Sequence, residues 1–259
     1  MITIHIIILG IVEGITEFLP ISSTAHLEIT QQILRIPTTD FIKSFNIAIQ
    51  LGAIGAVVLL YAKKIFNSSK YFLNICIAFI PTGIIGLLLY KIIKEFLLGN
   101  IILASSMLIL GGIIIIFFEV KDKKNPIVPS SKTIELLSIR ELLILGSLQA
   151  LAVVPGVSRS GAIIIGGRIL GLSSIVITEF SFLLAIPTML AATAYDLLKS
   201  GFSFGADEWG TIGIGFIVSF ITALLVVRWL IKYVQTHSFA IFGWYRVIIG
   251  AILLIFFLK

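Results

Sequence analysis

Residues 13–26 read Glu13-Gly14-Ile15-Thr16-Glu17-Phe18-Leu19-Pro20-Ile21-Ser22-Ser23-Thr24-Ala25-His26, and residues 155–162 read Pro155-Gly156-Val157-Ser158-Arg159-Ser160-Gly161-Ala162. Each is a polar, proline-bearing break in an otherwise apolar segment, the first covering residues 1–36 and the second 142–175. Proline ends a helix and hydroxyl side chains compete for backbone groups, so both stretches favour loop backbone. Non-helical backbone at membrane depth is tolerated only where protein or a water-filled cavity surrounds it. The two segments therefore read as re-entrant helix–loop–helix hairpins, each entering and leaving on one side, rather than as clean spans.

The rest of the chain sets that context. Of its 259 residues 58% are apolar and 12% charged, about half the charge of a soluble domain. An ordinary soluble enzyme, a disordered chain and a nucleic-acid-binding domain are excluded. The net charge of +6 does not point to nucleic acid, because the basic residues lie between long apolar runs, where membrane proteins keep them. The lone Cys76 gives neither a disulfide framework nor a cysteine metal cluster. The first 19 residues have no basic start, are interrupted by Glu13 and Glu17, and lack a small-residue cleavage site. They read as part of the mature protein rather than as a secretory signal.

A membrane-crossing helix needs about 20 mostly apolar residues. The stretches 44–62, 71–90, 99–118 and 209–227 carry no charge, 180–198 contains only Asp196, and 238–258 only Arg246. The expectation is an all-α polytopic membrane protein of six transmembrane helices plus two re-entrant hairpins. Lys63, Lys64 and Lys70, then Lys121, Lys123, Lys124, Lys132 and Arg140, then Arg228, Lys232 and Arg246 make 11 of the 19 Lys and Arg, all in alternate connections. Only Lys91, Lys94 and Lys199 mark the intervening ones. The basic side is cytoplasmic, so both termini face outward, the first hairpin enters from outside and the second from the cytoplasm.

This topology implies an inverted repeat. A shift of 136 residues sets Gly10 on Gly146, Glu13 on Gln149, Ser22 on Ser158, Ser23 on Arg159 and Thr24 on Ser160. One membrane domain, residues 1–259, divides into a first repeat of about 1–118, a loop of about 119–141 and a second repeat of about 142–259. Inverted repeats with broken helices put their binding site near the midplane.

The polar residues of the two breaks are costly there, at least about 2.5–3.5 kcal/mol for each intramembrane charge. Glu13 and Glu17, four apart, share a helix face. They suit a hard divalent cation, Mg²⁺ or Ca²⁺, or a shared proton; the plainer reading is a protonated or interfacial pair. Arg159 cannot deprotonate and its planar fork fits phosphate oxygens; the plainer reading is a permanent partner for Glu13 or Glu17. Ser158, Ser160 and loop N–H groups would add donors, especially with a helix beginning at Gly161. His26, three residues after Ser23, is within hydrogen-bonding reach of it if a helix restarts there. His5 and His237 read as structural, and Arg168, Gln149 and Gln50 as scaffold.

In these two motifs, with Gln50-Leu51-Gly52-Ala53 and Phe180-Ser181-Phe182-Leu183-Leu184-Ala185-Ile186-Pro187, the chain resembles the undecaprenyl-pyrophosphate phosphatases of bacteria, also called bacitracin-resistance proteins. The resemblance implies a plasma (inner) membrane enzyme that hydrolyses undecaprenyl diphosphate to undecaprenyl phosphate and phosphate, renewing the lipid carrier for peptidoglycan synthesis. Its functional positions fall on Glu13, Glu17, Ser22, Ser23, Thr24, His26, Ser158, Arg159 and Ser160. Ala25 and Ile163 depart from the family pattern, which has Gly and Thr there.

The resulting expectation assigns catalysis to Glu17, Ser23, His26 and Arg159, with Ser23 as nucleophile and His26 as its proton-transfer partner; a water nucleophile is the alternative. Ser22, Thr24, Ser158, Arg159 and Ser160 bind substrate, and Glu13 with Glu17 holds the cation. The partners are a polyprenyl diphosphate, membrane lipid and, as an allowed assembly, a second copy in a homodimer; nucleic acid is not among them. The alternative function is a transporter that flips a phosphorylated lipid carrier, for which the Ser23, His26 and carboxylate group has no use.

Overall fold

The computed structural model describes residues 3–124, 132–200 and 204–257. They form α1 (Thr3–Thr16), α2 (Ser23–Ile33), α3 (Asp40–Asn67), α4 (Ser69–Ile92), α5 (Ile101–Lys124), α6 (Ile139–Ala150), α7 (Arg159–Ile169), α8 (Ser174–Ser200), α9 (Ala206–Tyr233) and α10 (Ala240–Phe257), with no strand among the described residues. Six of these, α3, α4, α5, α8, α9 and α10, are long and apolar enough to cross a membrane, and they fall on the six stretches marked by the sequence. The chain is a multi-pass membrane protein. Its outer surface carries large apolar side chains such as Leu88, Phe117 and Phe256, which only lipid can cover at this density.

Several spans overrun their apolar windows because polar caps extend them. The Thr39 hydroxyl accepts the Ile42 N–H at 3.2 Å to start α3, and the Ser68 hydroxyl accepts the Tyr71 N–H at 3.2 Å to start α4. Lys121, Lys123 and Lys124 belong to the last turn of α5, and Arg140 to the first turn of α6, rather than to a loop. Arg246 departs further from the charge reading: it is 1% exposed, inside α10, and anchors no loop at the membrane surface.

The four remaining helices are short. α1 has 14 residues and α6 has 12, about 21 and 18 Å at 1.5 Å per residue, against a hydrocarbon core of about 30 Å. α1 packs on α9 and α6 on α4, while α3 lies against both α8 and α9, and α5 against α10. Small residues bring the short helices in close, as in other membrane helix pairs. A Cβ on Gly146 would meet the Ala78 carbonyl oxygen at 2.0 Å, and one on Gly14 would meet the Ser219 carbonyl oxygen at 2.7 Å. Phe18 packs edge-on against Phe182, ring centres 5.0 Å apart, so the first break is seated in the main core.

Candidate active site

α1 ends at Thr16, whose hydroxyl donates to the Val12 carbonyl at 2.7 Å. Glu17 keeps one more helical bond, its N–H to the Glu13 carbonyl at 3.0 Å, so the two carboxylates sit one turn apart. Glu17 is the hub. Its Oε1 accepts from Arg159 Nη2 at 3.1 Å, and its Oε2 accepts from the Ser23 hydroxyl. Arg159 also donates through Nη1 to the Ser181 carbonyl at 2.7 Å, while its Nε is buried with no partner. Both carboxylate oxygens of the fully buried Glu13 are likewise without a partner.

The two breaks hold each other. The Gly156 N–H donates to the Ser22 hydroxyl at 3.1 Å, and the Ser160 hydroxyl donates to the Leu19 carbonyl at 3.0 Å. Gly156 has φ of +91°, and a Cβ there would strike the Ala104 carbonyl oxygen at 2.3 Å, so glycine alone fits. Ser22 (φ 71°, ψ 97°) and Ser158 (φ 68°, ψ 109°) share one backbone conformation that L-residues rarely adopt. Each immediately precedes a helix, so the N-termini of α2 and α7 are both presented at the junction. α7 begins at Arg159, two residues before the expected start at Gly161. The Ser158 hydroxyl caps it, accepting the Gly161 N–H at 3.3 Å, and lies 3.3 Å from the Ser160 hydroxyl.

His26 corrects one expectation. Its Nδ1 is 2.7 Å from the Ser22 carbonyl oxygen and its Nε2 is 2.8 Å from the Tyr245 hydroxyl, with the two rings nearly parallel. Ser23 bonds Glu17 instead, so His26 and Ser23 are not a hydrogen-bonded pair. The helical restart turns Ser23 back toward the end of α1 and His26 toward α10.

A cavity of about 220 Å³ adjoins this junction, and of the nine motif positions Thr24 and Arg159 line it. Gln50 and Gln149 line it too, which the scaffold reading did not anticipate. Gln149 Nε2 donates to the Thr82 and Thr188 hydroxyls, each at 2.9 Å. Its far wall is apolar, with Phe79, Leu87 and Met189. Arg168 pairs with Asp122 at 2.5 Å. The departures are accommodated: Ala25 is buried with Ala104, Leu108 and Leu253, and Ile163 is buried in the main core.

Arg246 and Tyr245 complete the junction and were missed as site residues. Arg246 donates to the carbonyls of Pro20 (3.0 Å) and Gly156 (2.7 Å), and also to those of Met107, Leu108 and Val157. It ties both breaks to α5 and α10. The signal that found Arg159, a lone charge in an apolar segment, applies equally to Arg246. Tyr245 carried no signal.

Among the described residues no three His, Cys, Asp or Glu side chains gather as a metal-binding group. Glu13, with two unpartnered oxygens, and Glu17 beside it still fit a Mg²⁺-like ion, which is typically held by one or two carboxylates plus substrate phosphates.

The family model described as "Bacitracin resistance protein BacA" matches residues 6–252. The undecaprenyl-diphosphatase of Aquifex aeolicus is 55% identical over 252 residues, 97% of both chains. That of a Sulfurihydrogenibium species is 47% identical, covering 96% of this chain and 97% of its own. That of Thermus thermophilus is 41% identical over 98% of this chain and 97% of its own.

Proposed function

The chain belongs to the bacitracin resistance protein BacA family, and from this we propose that it is an undecaprenyl-diphosphate phosphatase. It is an integral-membrane hydrolase that removes the terminal phosphate of the lipid diphosphate, recycling the carrier for peptidoglycan synthesis and giving bacitracin resistance. The observation that carries the reading is the Glu17 carboxylate shared between the Ser23 hydroxyl and the Arg159 guanidinium. It joins a nucleophile, its proton acceptor and a phosphate-binding cation in one buried contact.

In this mechanism Ser23 Oγ attacks the terminal phosphorus as its proton passes to Glu17 Oε2. The anhydride P–O bond breaks and the bridging oxygen leaves on undecaprenyl phosphate. Water then cleaves the phosphoserine, and Glu17 returns the proton to the serine oxygen. Phosphoryl transfer depends on positioning and charge stabilisation. Arg159, through its unpartnered Nε, and the N-terminal N–H groups of α2 and α7 supply these, with Ser22, Thr24, Ser158 and Ser160 around the head group. His26 acts as a positioning residue through the Ser22 carbonyl. Glu13 and Glu17 would hold Mg²⁺ or Ca²⁺, whose charge would offset that of the diphosphate oxygens.

The same proposal has α1–α2 and α6–α7 as re-entrant hairpins of an inverted repeat, about 1–118 and 142–259, around a loop of about 119–141. Their shortness, the matched backbone of Ser22 and Ser158, and the exchange of neighbours (α1 on α9, α6 on α4) support it. Both termini lie outside the cytoplasm in a bacterial plasma membrane. The cavity reaches Tyr90, Lys94 and Leu98, and the Lys91 and Lys94 connection beside them is one that this reading puts outside the cytoplasm. A homodimer is compatible with this reading.

Phosphate release from undecaprenyl diphosphate by the purified protein in detergent is the test. A flippase would leave the diphosphate intact, and that outcome would replace this reading.

A further inference from the structure

At the outer end of the cavity lies an ion pair the mechanism does not use. Lys94 Nζ is 2.5 Å from Asp196 Oδ1, with side chains 17% and 1% exposed, and also lies 3.3 Å from the Ser44 hydroxyl. The Tyr90 hydroxyl donates to the same Asp196 oxygen at 2.7 Å, and the other carboxylate oxygen is buried without a partner. Lys94 sits on a π-helical turn, Ile93–Leu97, a distortion often found at functional sites. Its carbonyl accepts from Lys43 Nζ at 3.0 Å, so a second ammonium fixes that turn. Of the residues lining the cavity, Lys94 and Arg159 are the charged ones, the first held at Asp196 and the second at the Ser181 carbonyl of α8.

We infer that Lys94 is the capture residue for the diphosphate head group, an outer station that the substrate reaches before Arg159; this rests on the phosphatase reading above. Arg159 donates to the Ser181 carbonyl and Lys94 pairs with Asp196, and those two residues are fifteen positions apart on α8, roughly 22 Å of rise. That exceeds the length of a diphosphate group, so the head group meets the two cations in turn and Lys94 takes no part in bond breaking. Asp196 holds Lys94 until a ligand arrives. An arriving polyanion competes for it, and Asp196 regains it once the head group moves inward. Intramembrane charges of this kind are functional by default, and a cation at a low-dielectric mouth raises the association rate of an anion.

The experiment is steady-state phosphate release from undecaprenyl diphosphate by the full chain in detergent, against salt, for wild type, Lys94→Met, Lys94→Arg and Asp196→Asn. Lys94→Met should raise KM about fivefold or more with kcat held, and flatten the salt dependence of kcat/KM. Lys94→Arg should restore both. Asp196→Asn, which frees the ammonium, should move KM the opposite way. A structural strut would give KM changes of the same sign in Lys94→Met and Asp196→Asn, and that result overturns the inference, as does failure of Lys94→Arg to rescue. If the station served departing phosphate instead, Lys94→Met would change kcat and inhibition by inorganic phosphate rather than KM, which also overturns it. An inactive wild type would instead refute the phosphatase reading itself.

Discussion

The Ser22 hydroxyl accepts the Gly156 N–H at 3.1 Å, although the residues are 134 positions apart in sequence. Two breaks that would each expose loop backbone inside a membrane bond to one another, and Arg246 takes up three further carbonyls of theirs, Pro20, Gly156 and Val157. The junction thus depends on a cation that touches no carboxylate in the described contacts. Its cost of burial is offset by five carbonyl acceptors.

Arg246→Leu should therefore be more damaging than a peripheral substitution. It leaves five carbonyls without that donor, and each buried orphan costs about 1–3 kcal/mol. We expect a fall in thermal stability in detergent together with complete loss of turnover, read by a thermal-shift assay alongside phosphate release. A folded Leu variant with normal stability would deny Arg246 its clamping role.

Glu17 and Arg159 separate charge from geometry. Arg159→Lys keeps the cation but loses the planar fork that holds Glu17 and the Ser181 carbonyl and leaves Nε for a phosphate, so kcat/KM should drop at least about tenfold, or 1.4 kcal/mol. Glu17→Gln removes the proton acceptor of Ser23 and leaves a buried Arg159 unneutralised. It should abolish turnover and destabilise the fold by about 3 kcal/mol. Ser23→Ala should abolish turnover with stability nearly intact. Substantial residual rate in Ser23→Ala would assign the attack to water.

His26 and Tyr245 share one hydrogen bond, 2.8 Å long. His26→Gln and Tyr245→Phe should each lower kcat modestly with KM little changed. The double variant should be no worse than the poorer single one, because both delete the same link. Additive defects would mean that the histidine works independently of the tyrosine, as a proton carrier.

How far the sequence could be read follows from what kind of signal each feature leaves. Six uncharged or nearly uncharged stretches of membrane length predict α3, α4, α5, α8, α9 and α10 because the bilayer imposes a length and a polarity on each helix separately. Glu13, Glu17 and Arg159 stood out because charge at membrane depth needs a reason. Pairings were another matter. Whether Ser23 faces Glu17 or His26 depends on how the chain turns through 17–22, and Ser22 takes a positive φ that no residue type announces. Gln149 resembled scaffold because an amide in an apolar helix has no marked chemistry; only the packing of α6 on α4 brings it to the cavity wall. Arg246 is the opposite case: its charge in an apolar stretch is visible in the sequence, but such a charge fits an orienting residue at the membrane surface as well as a buried site.

The carboxylate with no partner carries the last expectation. Glu13 is fully buried and neither oxygen accepts from a donor group, its carboxyl lying against that of Glu17, whereas both oxygens of Glu17 are engaged by Ser23 and Arg159. A divalent cation would thus lean on Glu13 more than on Glu17 and draw its remaining ligands from water and the diphosphate. Chelation should abolish turnover. Glu13→Gln should raise the metal concentration needed for half-maximal rate, about tenfold or more, because an amide oxygen is a weaker ligand for a hard cation than a carboxylate. Ser23→Ala, by contrast, should stay inactive at any metal concentration, since no ion replaces the missing oxygen. Phosphate release titrated with Mg²⁺ and with Ca²⁺, for wild type and the two variants, reads all three outcomes. Full activity of wild type in excess chelator would remove the cation and leave Glu13 as a proton-bearing group beside Glu17.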